Sequence, residues 1–332
     1  MELTQLDTNR DLRPLVAQQA DFIARTQSPS GAIPWYCGAI TDPWDHIEAA
    51  IALNLAGRHE EAARAYEWSR AAQNPDGSWY SSYLGDKPQA LARDTNFSSY
   101  IATGMWLNYQ ATGDLPFLEH MWPTIEKGLD FVLGLQQGSG EVPWAAGPKG
   151  EVWPSAILTS NCCMWKSIGN GIEVARTLGH EKPAWEKASD SLLHAILHKP
   201  ELFDRLDENK RRYAMNWFYP VLTGVVDGHE ARERIDREWD DFVIDGWGCR
   251  VAADDDVTAV AETSELIIAL ALIGEHERGN QLLSWTLRLS DDKGGFCRGV
   301  KLPEEEPCPP DTERATWTSA ALIMAIAALS KA

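Results

Sequence analysis

Two stretches of this chain, 217 positions apart, are variations on one pattern. LAGRHEEAARAYEWSRAAQNPDG begins at Leu55 and LIGEHERGNQLLSWTLRLSDDKG begins at Leu272. Leu55, Gly57, Glu60, Trp68 and Gly77 coincide with Leu272, Gly274, Glu277, Trp285 and Gly294. An internal repeat restricts a fold strongly, because each copy must be the same supersecondary unit and bury its apolar face on a neighbour. The unit reads as a helix closed by glycine, a charged helix, and a glycine turn. Looser copies of the junction surround Gly113 (ATGDLPFLEHMW), Gly179 (TLGHEKPAWEKA) and Gly228 (VVDGHEARERI). With the N-terminal segment they make six units of unequal length.

Helical periodicity divides the six units into twelve helices. Those near 11–27, 58–73, 115–137, 182–196, 229–242 and 276–290 carry charge on one face and are assigned to an outer layer. Those near 44–56, 95–111, 160–178, 213–226, 258–273 and 315–330 are apolar on most sides, ATWTSAALIMAIAALS being the clearest case. A helix that is apolar all round is buried, so these form an inner ring. Pro220 interrupts the fourth of them. No long alternation of period two occurs and no linker splits the chain. The expectation is an all-α (α/α)6 toroid, one domain over residues 1–332.

Links from inner to outer helices are short, such as AGRH and IGEH, whereas links from outer to inner helices are mostly long. In a ring of hairpins all links of one kind emerge on one face, and long loops on a rigid rim are where sites form. The chain has fifteen tryptophans, which need an explanation because a buried indole N–H wants a partner. Trp35, Tyr36, Trp44, Trp79, Tyr80, Tyr83, Trp144, Trp153 and Trp247 lie in the long links or at the helix starts beside them. So do Asp42, Asp45, Asp94, Glu141, Glu151, Asp254–Asp256 and Glu304–Glu306. Aromatic faces interleaved with carboxylates suit stacking on sugar rings or the shielding of a carbocation.

The pattern resembles the six-hairpin glycosidases, especially the glucoamylase-like family. RDTNFSSYIATGMWLNYQATGDLPFLEHMWPTIEKGLDFV from Arg93 is similar to that family's second hairpin. SAILTSNCCMWKSIGNGIEVARTLG from Ser155 is similar to its third inner helix, and LPEEEPCPPDTERATWTSAALIMA from Leu302 to its C-terminal segment. The resemblance implies a general acid in the loop before the third inner helix, at Glu141 with Glu151 as second choice. It implies a general base in the last loop, at Glu304 with Glu305 and Glu306 as alternates. The family's usual Trp-Glu is replaced here by Glu141-Val-Pro-Trp144. A second resemblance is to triterpene cyclases and related prenyltransferase folds. QNPDGSW at Gln73–Trp79 matches their Q-x-x-x-G-x-W repeat, with QSPSGAIPW and QGSGEVPW as looser copies, and Asp254-Asp255-Asp256 is similar to their aspartate motif in a different order.

Three functions follow. A glycoside hydrolase acting on an oligosaccharide or other small molecule would use two carboxylates, one protonated to donate to the leaving oxygen and one to activate water. A separation of roughly 6.5–9.5 Å would imply inversion. Glu141, Glu304, Asp45 and Asp94 are the candidate catalytic carboxylates. Trp35, Tyr36, Asp42, Trp44, Trp79, Arg93, Trp144, Trp153, Trp247 and Trp317 are the candidate binding residues. An isoprenoid-processing enzyme would take its acid from Asp254–Asp256, a run that as an acidic N-cap would suit the next helix dipole. A non-catalytic binding toroid would bring no carboxylates together. His46 reads as a core histidine or a proton donor. Glu262 and Glu265 join the site if their helix face meets the hole.

The polar start MELTQLDTNRDLRPL lacks the apolar run of a secretory signal, and no stretch reaches eighteen apolar residues, so a cytoplasmic protein without a membrane partner is expected. A net charge of −19 argues against nucleic-acid partners. Cys37, Cys162, Cys163, Cys249, Cys297 and Cys308 show no CxxC and no zinc spacing, so they are expected to be reduced thiols with no metal or other cofactor.

Overall fold

The computed structural model describes residues 11–205, 208–291, 294–302 and 314–330. In chain order its helices are α1 (Arg13–Thr26), α2 (Pro43–Leu55), α3 (His59–Ala72), α4 (Thr95–Thr112), α5 (Leu115–Gly134), α6 (Leu158–Thr177) and α7 (Pro183–His198). They continue with α8 (Ala214–Leu222), α9 (Gly228–Arg237), α10 (Trp239–Phe242), α11 (Val260–Leu272), α12 (His276–Leu287) and α13 (Thr316–Ser330). The inner helices α2, α4, α6, α8, α11 and α13 pack side by side in that order, and α13 returns to α2 to close the ring. Helices α1, α3, α5, α7, α9 and α12 lie outside them, so the toroid is the one expected. Gly57 and Gly274, partners in the repeat, both adopt φ +78°, the left-handed turn that ends an inner helix.

The outer layer is held at its seams by one repeated device. Gln27, Gln73 and Gln136 each end an outer helix, and each side-chain amide donates two hydrogen bonds. One goes to the carbonyl of the glycine four residues on, Gly31, Gly77 or Gly140, at 2.9–3.0 Å. The other goes to a carbonyl of the next outer helix, Glu61, Thr124 or Ala188, at 2.9 Å. The Q-x-x-x-G element is thus a staple between neighbouring hairpins. Between the last and first hairpins the direction is reversed: Gln19 of α1 donates to the Gly294 carbonyl at 2.8 Å.

Pro220 does not break the fourth inner helix. It leaves the Asn216 carbonyl without its helical donor, and Arg234 of α9 supplies one. Its guanidinium donates to the Asn216 carbonyl at 2.8 Å and to the Trp217 carbonyl at 2.7 Å. Arg234→Met keeps the volume but strands both carbonyls, at an expected cost of about 3 kcal/mol. Chemical denaturation checks this, and a loss below about 1 kcal/mol would mean that water replaces the guanidinium.

The long links all lead into the N-terminal ends of inner helices, and each touches the next around the rim. Ile40–Thr41 pairs with Tyr83–Leu84, Arg93–Asp94 with Ala145–Ala146, and Val257–Ala259 with Gly299–Lys301. Ala156 bridges to Phe203, and Tyr213 to Ala252. Thr316 closes the belt by donating from its backbone to the Trp35 carbonyl, at 2.8 Å, and from its hydroxyl to the Pro34 carbonyl. Cys162, Cys163 and Cys249 are buried free thiols and Cys37 an exposed one, but Cys297 is disulfide-bonded. The reduced-thiol expectation fails there, because a cross-link depends on which Cβ atoms the fold brings within about 4 Å, not on spacing. No described helix is long and apolar enough to cross a membrane.

Candidate active site

The site begins at the first turn of α2. Asp42 is the N-cap, accepting from the Asp45 backbone N–H at 3.0 Å, and its second oxygen accepts from Trp35 Nε1 at 2.5 Å. Asp45 and Glu48 follow at three-residue intervals, so all three carboxyls fall on the face of α2 that meets the hole. Asp94 caps α4 in the same way, accepting from the Phe97 N–H at 3.0 Å. Its carboxyl lies close enough to Asp42 for the two charges to interact. Glu262 and Glu265 enter from α11 and interact with each other, and Glu265 also interacts with Glu48.

Among these acids, aromatic rings pack across the hole. The Trp44 indole lies 5.4 Å from the Tyr100 ring of α4, 6.0 Å from Phe97 and 6.2 Å from the Tyr219 ring of α8. It therefore spans from one side of the inner ring to the other. Trp44 Nε1 donates to Glu48 at 2.5 Å, Tyr100 donates to the same oxygen at 3.3 Å, and Tyr219 donates to Glu265 at 2.7 Å. The toroid is thus a cup with an aromatic and acidic floor.

Burial raises the carboxyl pKa values throughout the cup. Asp94 and Glu48 are each pushed up to about 7. Asp45 is raised furthest of the α2 acids, by burial and then by the neighbouring charges of Asp42 and Glu48. Asp42 is also raised by burial, but its hydrogen bonds with Asp45 and Trp35 favour the ionised form. Glu262 is raised by burial, and its Oε2 has no hydrogen-bond partner among the described residues. Both carboxyls of the pair are raised, Asp45 further than Asp42, so Asp45 holds its proton more firmly.

These shifts have a cost in stability. A carboxyl whose folded pKa is raised stabilises the fold below its unfolded pKa, and that contribution is lost as pH rises through the folded value. Asp94, raised from 3.8 to about 7, therefore penalises folding increasingly between roughly pH 4 and 8, and the other raised acids act in the same sense. His46, buried and lowered to about 4, acts oppositely and only on the acid side. Tm is expected to fall by at least about 5 °C between pH 5.5 and 8.5, less steeply in Asp94→Asn. Calorimetry across that range tests this, and a flat profile in the parent protein would contradict it.

The remaining candidates divide. Trp35, Trp44 and Asp42 belong to the cup as just described. Trp317 is half-buried in the first turn of α13, beside the Thr316 tie to Trp35. Trp144 and Trp153 form a half-buried pair on the rim, ring centroids 4.8 Å apart, and the Trp144 carbonyl accepts from the first N–H of α4. Tyr36 is half-buried on the first rim loop. Glu141 is 5% exposed, with Oε1 3.8 Å from Arg205 and Oε2 without a partner. Glu151 sits in an exposed rim turn. Glu304, Glu305 and Glu306 lie outside the described residues.

One binding assignment is corrected. Trp79 is 2% exposed and donates its indole N–H to the Ser69 carbonyl at 2.7 Å, so it is core and not cavity wall. Arg93 bonds to Asp76 and to the Gly147 carbonyl, where it ties two rim loops together, and its buried Nε has no partner among the described residues. Trp247 packs half-buried on the core at the turn between Val243–Ile244 and Gly248–Cys249. His46 is a core histidine: Nδ1 accepts from the Ile33 N–H and Nε2 donates to the Ala65 carbonyl. Asp254 and Asp256 are exposed at 64% and 70% and face Arg212 and Arg250. They do not cap α11, whose N-cap is Ala259; they are exposed, ion-paired side chains on the rim. Glu48 escaped the sequence reading, although the Asp42-x-x-Asp45-x-x-Glu48 spacing was the signal for it. Among the described residues no group of three or more His, Cys, Asp or Glu side chains is arranged to hold a metal ion.

No family model matches the chain. Over 314 residues it is 41% identical to MMP endo-(1,4)-3-O-methyl-α-D-mannosidase of Mycolicibacterium hassiacum, covering 95% of this chain and 86% of that protein. The chain belongs to the family of that mannosidase. A shorter stretch of 84 residues, a quarter of the chain, is 37% identical to an uncharacterized glycosyl hydrolase of Methanocaldococcus jannaschii. Among solved structures, a glycosidase variant in complex with glucose superposes with a TM-score of 0.74 over 98% of this chain and 99% of its own, at 14% identity. A D-mannose isomerase superposes with a TM-score of 0.77 over 99% and 100%, at 11% identity. The mannosidase-family chain is a glycoside hydrolase-like enzyme. Its likeness to triterpene cyclases goes no further than the turn, since the Q-x-x-x-G element is the seam staple and its tryptophan is core.

Proposed function

We propose that this mannosidase-family chain is an endo-acting hydrolase of α-(1,4)-linked mannosides, with 3-O-methylated mannose units as its substrate class. One observation carries the reading: the similarity to the endo-mannosidase extends over nearly the whole chain, at 41% identity. The chemistry of the cup agrees. Asn96, Glu262 and Thr318, each in the first turn of an inner helix, hold buried polar atoms with no hydrogen-bond partner among the described residues. Such atoms are rare in folded proteins and suit a ligand rich in hydroxyls, not a hydrocarbon.

In this reading Asp45 is the general acid. Burial and its acidic neighbours keep it protonated, and Asp42, fixed by Trp35, orients it. As the glycosidic bond breaks, the Asp45 proton passes to the leaving oxygen. Glu262 faces the site from α11 with a free carboxylate oxygen and serves the opposite side of the sugar, as base toward water or as nucleophile. Asp94 and Asn96 bind hydroxyls, Trp44 is the stacking floor, and the Trp144–Trp153 pair gives an apolar wall suited to O-methyl groups.

The test is incubation of the purified protein with a 3-O-methylated α-(1,4)-mannan oligosaccharide and with its unmethylated counterpart, followed by mass spectrometry. Internal cleavage into shorter oligosaccharides, at least about tenfold faster on the methylated chain, is expected. Release of single sugars from one end, or no cleavage of either, would overturn the proposal.

A further inference from the structure

We propose that Glu48 is a positioning residue for the hydrolysis: it holds the Trp44 indole as the floor of the sugar site and acts on Asp45 through one turn of α2. This rests on the hydrolytic reading above, and it concerns a group that the carboxylates of the cup do not account for.

The geometry sets Glu48 apart from the reacting carboxyls. Helix α2 runs inward from the mouth and rises about 1.5 Å per residue, so Glu48 lies about 6 Å deeper than Trp44 and about 4.5 Å deeper than Asp45. It is 6% exposed and covered by the tryptophan it binds. A buried carboxylate without a cation is costly unless its bonds are good. Glu48 has two donors on one oxygen, the Trp44 indole and the Tyr100 hydroxyl. The indole bond fixes the plane of a ring that Tyr100 and Tyr219 hold from two other helices. Without its acceptor the indole would bury an unmade hydrogen bond and could turn away.

The second action is electrostatic. The titratable groups facing Glu48 are Asp42 and Asp45 on its own helix, Tyr100 of α4, Cys163 of α6, Tyr219 of α8 and Glu265 of α11. Helix α13, the other inner neighbour of α2, carries no titratable side chain. All of these neighbours are acids or phenols, so a negative charge on Glu48 has no opposing cation from them. It bears on Asp45, one helical turn above, and opposes its ionisation. Glu48 takes up its charge near neutrality, where a general acid must still keep its proton.

Glu48→Gln separates the two actions, because it keeps an oxygen for the indole and removes the charge. On the methylated mannan, the alkaline limb of the kcat/KM profile should move down by about one pH unit, while KM changes by less than about threefold. Glu48→Ala removes the acceptor as well, and KM should rise about tenfold or more with an altered near-ultraviolet tryptophan signal. If Glu48→Ala does not fold, the Glu48→Gln profile decides. A Glu48→Gln profile superimposable on that of the active parent overturns this inference alone. An inactive parent overturns the hydrolytic reading and this inference with it.

Discussion

Asp45→Asn lowers kcat/KM on the methylated mannan by about a thousandfold or more, and Glu262→Gln does so on a comparable scale. An amide cannot supply the proton that an alkoxide leaving group needs, nor serve as base or nucleophile from the opposite side. The accompanying stability signature separates this from a folding defect. Asp45 is a buried acid whose ionisation is opposed by burial, by Asp42 and by Glu48. Replacing it with a neutral isostere removes that penalty, so Tm at pH 8 should stay level or rise. Loss of activity together with a lower Tm would indicate a structural role. Glu141→Gln is the informative companion. If Glu141 only pairs with Arg205 at the third hairpin, turnover falls less than about tenfold. A loss as large as that of Asp45→Asn would move the acid to Glu141.

The repeat made the architecture legible because helical periodicity and glycine junctions are local signals. Boundaries such as those of α4 and α13 follow from where the apolar face starts and stops. Even the fourth inner helix, marked by Pro220, forms, and the guanidinium that rescues it comes from another hairpin, which no local pattern displays. The site was legible in part. Rim tryptophans and carboxylates could be gathered onto one end by the alternation of short and long links. Which of them face the hole could not be read from that alternation. Trp79 carries the motif most suggestive of chemistry yet packs under a seam. Glu48, inside an apolar helix and outside every loop, is at the centre. Its three-residue spacing from Asp42 and Asp45 was visible, but its importance depended on knowing which face of α2 turns inward.

Gly77→Ala should destabilise the protein by about 4 kcal/mol. Gly77 adopts φ +92°, and an added Cβ would sit 2.1 Å from the Lys127 carbonyl oxygen of the next outer helix. That contact is with backbone, which cannot swing aside, and Gln73 fixes the same turn by its two hydrogen bonds. Gly31 meets the Arg64 carbonyl at 2.2 Å with φ +99°, so Gly31→Ala is expected to behave alike. Gly85, at φ +57° with nothing within 4 Å of an added Cβ, is the control and should lose no more than about 1.5 kcal/mol. Guanidinium unfolding of the three variants tests this. Equal losses at Gly77 and Gly85 would show that the close approach contributes nothing.

The return of α13 to α2 bears on synthesis. Helix α2 leaves the ribosome long before α13, and the flank that α13 covers has no partner until residues 316–330 emerge. For most of that interval the nascent chain is an open arc with two sticky edges, one at α2 and one on the newest hairpin. Native pairing of those edges spans almost the full sequence, a contact that forms slowly. The growing polypeptide should therefore be a chaperone client until α13 is made, and chains stalled before that helix should aggregate.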